Sequence, residues 1–132
     1  MVTTGHAADA YDPKSVRAST GSFFATPVVR AAGHADVMEW VEEQRRSGTT
    51  VLVVATDEDG TVDITDADLT GPVLLLVGNE TSGLSQAWRD AADVVVSIPM
   101  TGSASSLNAA NAATVVLYEA RRQRLAKDGV GR

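Results

Sequence analysis

A chain of 132 residues, 44% of them hydrophobic and 21% charged, is long enough for one buried core and has the composition of a folded domain, which sets disorder aside as the default. Its formal net charge of −6 argues against a general nucleic-acid binder, whose cations must replace the counterions of phosphates. The absence of cysteine excludes disulfides and thiolate chemistry and suits a reducing compartment.

The opening MVTTGHAADAYDPK has neither a basic region nor an apolar core, so no signal peptide is read there. Pro13 to Phe24 is predicted as a helix, with Asp12 as N-cap and Pro13 at the first helical position. The short apolar run VVR follows Pro27 at 28–30. A second helix is expected from His34 to Ser47, with Val37, Trp40 and Val41 on one face and Gly48 closing it. Three runs, VLVVAT at 51–56, VLLLV at 73–77 and VVVSI at 94–98, are continuous and rich in branched side chains. That is the pattern of parallel strands covered on both faces. Asp59-Gly60 reads as a tight turn between the first of these and a weak strand at 61–64. Helices are expected over Leu84 to Ala91 and Ser105 to Ala126, the latter with Leu107, Ala110, Thr114, Leu117 and Tyr118 at helical spacing. No apolar run approaches the ~18 residues needed to span a bilayer. The alternation predicts one α/β domain with a mostly parallel sheet.

In open parallel sheets, ligands bind beyond the carboxyl ends of the strands. The rule selects Ala55-Thr56-Asp57, Gly78-Asn79-Glu80 and the chain from Pro99 onward. In GNETSGLS, residues 78–85, glycine permits a close backbone approach, and Asn79 and Glu80 place polar groups at a strand end. The spacing of Gly78 and Gly83 suggests a phosphate loop, but Leu84-Ser85 stands where Lys-Ser/Thr is required. Asn79-Glu80-Thr81 matches a glycosylation sequon without a secretory signal to make it relevant. The plain alternative is a strand-to-helix turn with Ser82 or Ser85 as cap.

In TGSASSLNAAN, residues 101–111, Gly102 to Ser105 reads as a loop and Ser105 or Ser106 as the cap of the long helix. Asn108 then lies in the first turn, with its amide and the nearby backbone N–H groups available to an anionic or carboxylate-bearing ligand. Here the plain alternative is a helix cap among surface serines.

Other chemistries lack support. His6 and His34 have no partners at ligand spacing, so no metal is expected. The acids from Asp57 to Asp68 lack calcium-loop order and read as solvated surface. Trp40 and Trp88 read as packing residues. Arg121, Arg122, Arg124 and Lys127 form a local basic cluster despite the acidic total.

LLLVGNETSGLS, followed downstream by IPMTGSASSLNAANAATVVLYEARRQR, closely resembles two motifs of the SpoU (TrmH-like) branch of the SPOUT methyltransferases. DPKSVRASTGSFFATPVVR resembles the segment between that family's first and second conserved regions, so the likeness covers nearly the whole chain. It implies a SPOUT-type, Rossmann-like, mostly parallel sheet with a C-terminal deep trefoil knot. It also implies S-adenosylmethionine as cofactor, methylation of a ribose 2′-hydroxyl in ribosomal or transfer RNA, a homodimer, and a cytoplasmic location with no membrane or metal. Carried over by position, Thr56, Gly78, Asn79, Ile98, Met100 and Leu107 bind the cofactor, while Glu80, Ser106 and Asn108 serve the reacting ribose.

The family's first motif supplies an Asn and an Arg that this sequence does not contain, and neither Arg17 nor Arg30 inherits that arginine's role. Residues 1–132 therefore read as one SpoU-type methyltransferase domain truncated at its N-terminus. A non-catalytic, cofactor-binding or dimerising shortened homologue is the alternative reading. A ligand-free structural fragment, with a bare sheet edge that lowers solubility, is a third.

Overall fold

Asp12 and Pro13 start the first helix as their chemistry requires. The Asp12 carboxylate accepts the Lys14 N–H at 2.8 Å, and Pro13, lacking an N–H, occupies a position where none is needed. In the computed structural model, which describes residues 1–5, 7–79, 81–100 and 107–129, this helix α1 covers only Pro13–Ala18. The predicted continuation to Phe24 is broken. Ser19 turns its hydroxyl back onto the Val16 carbonyl at 2.6 Å, and Thr20 and Gly21 take left-handed φ of 48° and 96°. A separate turn, α2, follows at Ser22–Ala25. The Ser-Thr-Gly sequence is the cause: short hydroxyl side chains compete for helix carbonyls, and glycine accepts the reversed backbone.

The chain forms two compact units, Met1–Glu43 and Gln44–Arg132. The first also holds β1, Val2–Thr3, paired in parallel with β2, Val29–Arg30. A two-residue strand leaves no periodicity to read, and β1 escapes sequence analysis for that reason. Helix α3, His34–Arg46, buries Val37 and Val41, whereas Trp40 is 46% exposed rather than packed. Gly48, with φ 94°, closes it. The Gly48 and Thr49 N–H groups return to the Arg45 and Gln44 carbonyls at 3.1 and 2.9 Å, a paired glycine cap.

The second unit is built on β3 (Leu52–Thr56), β4 (Val62–Asp63), β5 (Val73–Leu76) and β6 (Val94–Ser97). Their order is β4-β6-β3-β5 and every pairing is parallel. The two central strands supply the most buried side chains, with Val53, Val54, Ala55 and Val96 fully enclosed. Asp59-Gly60 does turn, the Gly60 N–H reaching the Asp57 carbonyl at 3.2 Å, but the turn makes no hairpin. It carries the chain over β6 to the sheet's far edge. Gly60 lies so close to β6 that an added Cβ would stand 2.4 Å from the Val96 carbonyl carbon.

Helix α4 spans Gln86–Ala91 and α5 spans Ala109–Lys127. α5 begins later than Ser105, and its N-cap is Asn108, whose Oδ1 accepts the Asn111 N–H at 2.8 Å. The stripe of Ala110, Thr114, Leu117 and Tyr118 faces outward; Ala112, Val116, Glu119 and Ala120 are buried instead. Small side chains at those positions let the helix approach closely, and Val116 and Ala120 join Val54, Ile64, Ala67, Leu69 and Val96 in the core. Gln123 fastens α5 to the preceding segment. Its amide oxygen accepts the Leu69 N–H at 2.8 Å and its nitrogen donates to the Ala67 carbonyl at 2.9 Å.

Candidate functional site

The carboxyl ends of β3, β5 and β6 and the start of α5 border a cavity of about 360 Å³, within the range of small-molecule sites. Each rim loop owes its shape to local hydrogen bonding. After β5, the Asn79 Oδ1 accepts the Thr81 and Ser82 N–H groups at 2.9 and 2.8 Å. The Gly83 N–H returns to the Asn79 carbonyl at 2.9 Å. The loop folds back so tightly that a Cβ on Gly78 would stand 2.2 Å from the Gly83 carbonyl carbon. Glycine is required there by the loop's own backbone, before any ligand is considered.

After β3, the Thr56 hydroxyl donates to the Leu76 carbonyl at 3.4 Å, and the Asp57 N–H donates to the Val96 carbonyl at 3.1 Å. The Asp57 carboxylate pairs with Arg89 of α4 at 2.6 Å and is only 11% exposed, against 38% for Arg89. The Arg89 Nε also donates to the Leu84 carbonyl at 3.2 Å. One guanidinium thus ties the β3 loop to the β5 loop, and both residues border the cavity.

The lining divides by chemistry. Val77, Ile98, Met100, Leu107 and Ala112 offer an aliphatic wall, while Thr56, Asp57, Asn79, Ser82 and Arg89 offer donors and acceptors. Such a site suits a flat ring system carrying a hydroxylated and charged extension.

All six positions expected to bind the cofactor, Thr56, Gly78, Asn79, Ile98, Met100 and Leu107, border this one cavity. Asn108 sits between the bordering residues Leu107 and Ala109, with its Oδ1 used in the α5 cap rather than directed from a first helical turn. Glu80 and Ser106 lie outside the described residues, as do Ser103 and Ser105 of the loop and cap expected before the long helix. Ser85 occupies the N-cap position of α4 without a side-chain capping bond.

The strand-end rule selects Asp57 together with Ala55 and Thr56, but the acidic run that begins at Asp57 also reads as solvated surface, so sequence reasoning gives it no role; its partner Arg89 carries no sequence signal at all. Elsewhere in that run, Asp63 and Asp68 each accept from a threonine two residues on. The Thr70 hydroxyl, foremost, holds the Asp68 carboxyl below its ordinary value. Among the described residues, no group of His, Cys, Asp and Glu could hold a metal ion. The basic cluster of α5 is partly engaged: Arg122 holds Glu119, Arg124 reaches the Leu69 and Gly71 carbonyls, and Lys127 reaches Thr70.

Known proteins share this sequence and architecture. A 23S rRNA (uridine(2479)-2′-O)-methyltransferase of Streptomyces viridochromogenes is 62% identical over 125 residues, 95% of this chain and 44% of that relative. The crystal structure of the SpoU methyltransferase AviRb from the same organism, in complex with the cofactor AdoMet, superposes with a TM-score of 0.90 at 62% identity. It covers 94% of this chain and 47% of that one. An AdoMet-bound rRNA methyltransferase from Sinorhizobium meliloti superposes with a TM-score of 0.80 at 39% identity, over 92% of this chain and 44% of that one. The chain spans less than half the length of each. The sequence profile of the SpoU rRNA Methylase family matches residues 1–118, and the chain belongs to that family.

Proposed function

We propose that this chain is the cofactor-binding, methyl-transferring domain of a ribosomal RNA ribose 2′-O-methyltransferase that uses S-adenosylmethionine. The carrying observation is the single cavity at the strand ends, bordered by all six positions expected to bind that cofactor. Its two-sided lining fits the group: an aliphatic wall of Ile98, Met100 and Leu107 for an adenine ring, and a polar edge at Thr56 and Asn79 for ribose and amino-acid groups. Bound there, S-adenosylmethionine supplies an electrophilic methyl group on a sulfonium sulfur.

The chain's own task is positional, because methyl transfer needs the ribose oxygen held in line with that methyl group. Glu80, Ser106 and Asn108 are assigned to hold the ribose, and Asn108 acts through its Nδ2 because its Oδ1 caps α5. Residues 1–132 constitute one methyltransferase domain on this reading. Its deep trefoil knot is supported by the position of β6 between β3 and β4, two strands already joined by the loop over it. A cytoplasmic homodimer completes the reading. The exposed Leu117 and Tyr118 of α5 supply an interface, and no described helix is long and apolar enough to cross a membrane.

Calorimetric titration with S-adenosylmethionine tests the cavity, with Asn108→Ala alongside. Saturable heat is expected from the parent, with similar affinity in the variant because Asn108 is assigned to the ribose. The full-length protein is expected to transfer labelled methyl from the cofactor to a ribose 2′-oxygen of ribosomal RNA. Absence of heat from the parent, or label on a base instead of a ribose, overturns the reading.

A further inference from the structure

Three aromatic residues gather in the first unit where no core calls for them. The Tyr11 and Phe23 rings meet edge to face with centroids 5.1 Å apart, and Phe23 and Phe24 do the same at 5.6 Å. Phe23 is half-buried between them, yet Phe24 is 83% exposed and Tyr11 67%. The reversed backbone at Thr20 and Gly21 sets α2 apart from α1 and presents Phe24 outward. Holding a phenylalanine ring almost wholly in water forgoes the stabilisation that its burial provides, so the ring's open faces call for an occupant.

The electrostatics of the same stretch identify its class. Seventeen acidic residues outnumber eleven basic ones in the chain, but from residue 13 to residue 35 no Asp or Glu occurs, while Lys14, Arg17 and Arg30 do. All three are exposed. Lys14 and Arg17 are three positions apart on α1, a spacing that brings side chains to neighbouring places on one helix face. Exposed aromatic faces combined with cations that follow a phosphate chain are the two components of single-stranded nucleic-acid binding. Unpaired RNA is recognised in this way, by stacking splayed bases on aromatic side chains.

We propose that Phe24 is a stacking platform for an unpaired RNA base, with Lys14 and Arg17 taking the adjoining phosphates. This inference rests on the RNA-methylation reading and adds to it a subsite, in the first unit, for nucleotides that are bound and not modified. It accommodates the acidic total charge, because no acid falls between residues 13 and 35, where Lys14, Arg17 and Arg30 lie.

The test is fluorescence anisotropy of the 132-residue chain with a labelled single-stranded oligoribonucleotide of about 12 nucleotides, within the range of such sites. Phe24→Ala and Phe24→Leu are each expected to weaken binding about tenfold, and Phe24→Trp to preserve it within about twofold, because stacking needs a π face. Arg17→Gln is expected to weaken binding and to reduce the slope of log affinity against log salt by about one. Unchanged affinity in Phe24→Ala overturns the proposal. So does full binding by Phe24→Leu, which marks a merely apolar contact. A shift from dimer to monomer in Phe24→Ala with RNA affinity retained also overturns it, by assigning the ring to a second copy of the chain. The same proteins are titrated with S-adenosylmethionine. Cofactor binding by a parent whose RNA affinity ignores Phe24 leaves the methyltransferase reading standing and removes only the platform. A parent that takes no cofactor removes the methyltransferase reading, while the RNA arm still decides on stacking.

Discussion

At Gly78 a hydrogen atom stands where any other residue would place a carbon 2.2 Å from the Gly83 carbonyl carbon. The obstacle is backbone, which cannot swing aside as a side-chain tip does, so Gly78→Ala must open the loop from Asn79 to Gly83. The expected cost is about 2 kcal/mol in urea unfolding, with at least a tenfold loss of S-adenosylmethionine affinity by calorimetry because the rim opens with the loop. Gly71, where a Cβ would meet nothing within 4 Å, is the control. Its change to alanine is expected to stay within about 0.5 kcal/mol. Much of the cavity was legible at this scale, since polar or glycine residues directly after buried strands mark ligand positions. The ion pair of Asp57 and Arg89 was not, because it joins residues 32 positions apart (89 minus 57). The place of Asn108 at the cap of α5, instead of in its first turn, was not legible either, because sequence does not reveal where a helix begins when several Ser and Asn residues compete to cap it.

Among the elements, α5 departs most from its sequence pattern. Leu117 and Tyr118 looked like the packing face; the packed face is made of alanines, Val116 and one acid, Glu119. Periodicity identifies a helix but not which stripe turns inward when small residues line the closest approach. Glu119 tolerates its position because Arg122 donates to it twice, at 2.8 and 2.7 Å, and Gln123 once, at 2.9 Å. The Arg122 hydrogen bonds, foremost, hold its carboxyl below the ordinary 4.5, outweighing the opposing effect of burial. A carboxyl depressed in the folded state stabilises fully above its unfolded value. That contribution fades as pH falls from about 4.5 through the lower folded value. Glu119→Gln is expected to lose it at neutral pH and to show a shallower acid limb in stability measured against pH. Gln123→Leu is expected to cost about 2 kcal/mol by chemical denaturation, because the Leu69 N–H and the Ala67 carbonyl both lose their partner.

For the whole molecule, the α/β class and three of the parallel strands follow from their apolar runs, but strand order does not. The runs at 51–56, 73–77 and 94–98 are chemically alike, and nothing in them states that the last lies between the first and the short edge strand β4. The crossing loop passes β6 at Gly60, whose close contact with the Val96 backbone admits no side chain, a constraint that the runs themselves do not announce. The proposed homodimer is tested at this scale. Leu117→Glu with Tyr118→Glu places charge on the exposed α5 stripe without touching the buried one. The doubly substituted chain is expected to sediment as a monomer with its far-ultraviolet dichroism unchanged.

The place of β6 also gives the molecule a mechanical direction. Val94, Val95 and Val96 are laddered to β3 on one side, and Val96 and Ser97 to β4 on the other. A tension applied beyond α5 and transmitted along the chain reaches a strand clamped on both edges, and must shear two ladders together to extract it. Tension applied at Met1 meets first the two-residue ladder of β1 with β2. A proteolytic motor that pulls on the second unit from the α5 side therefore meets, as the first strand it must extract, one paired on both edges.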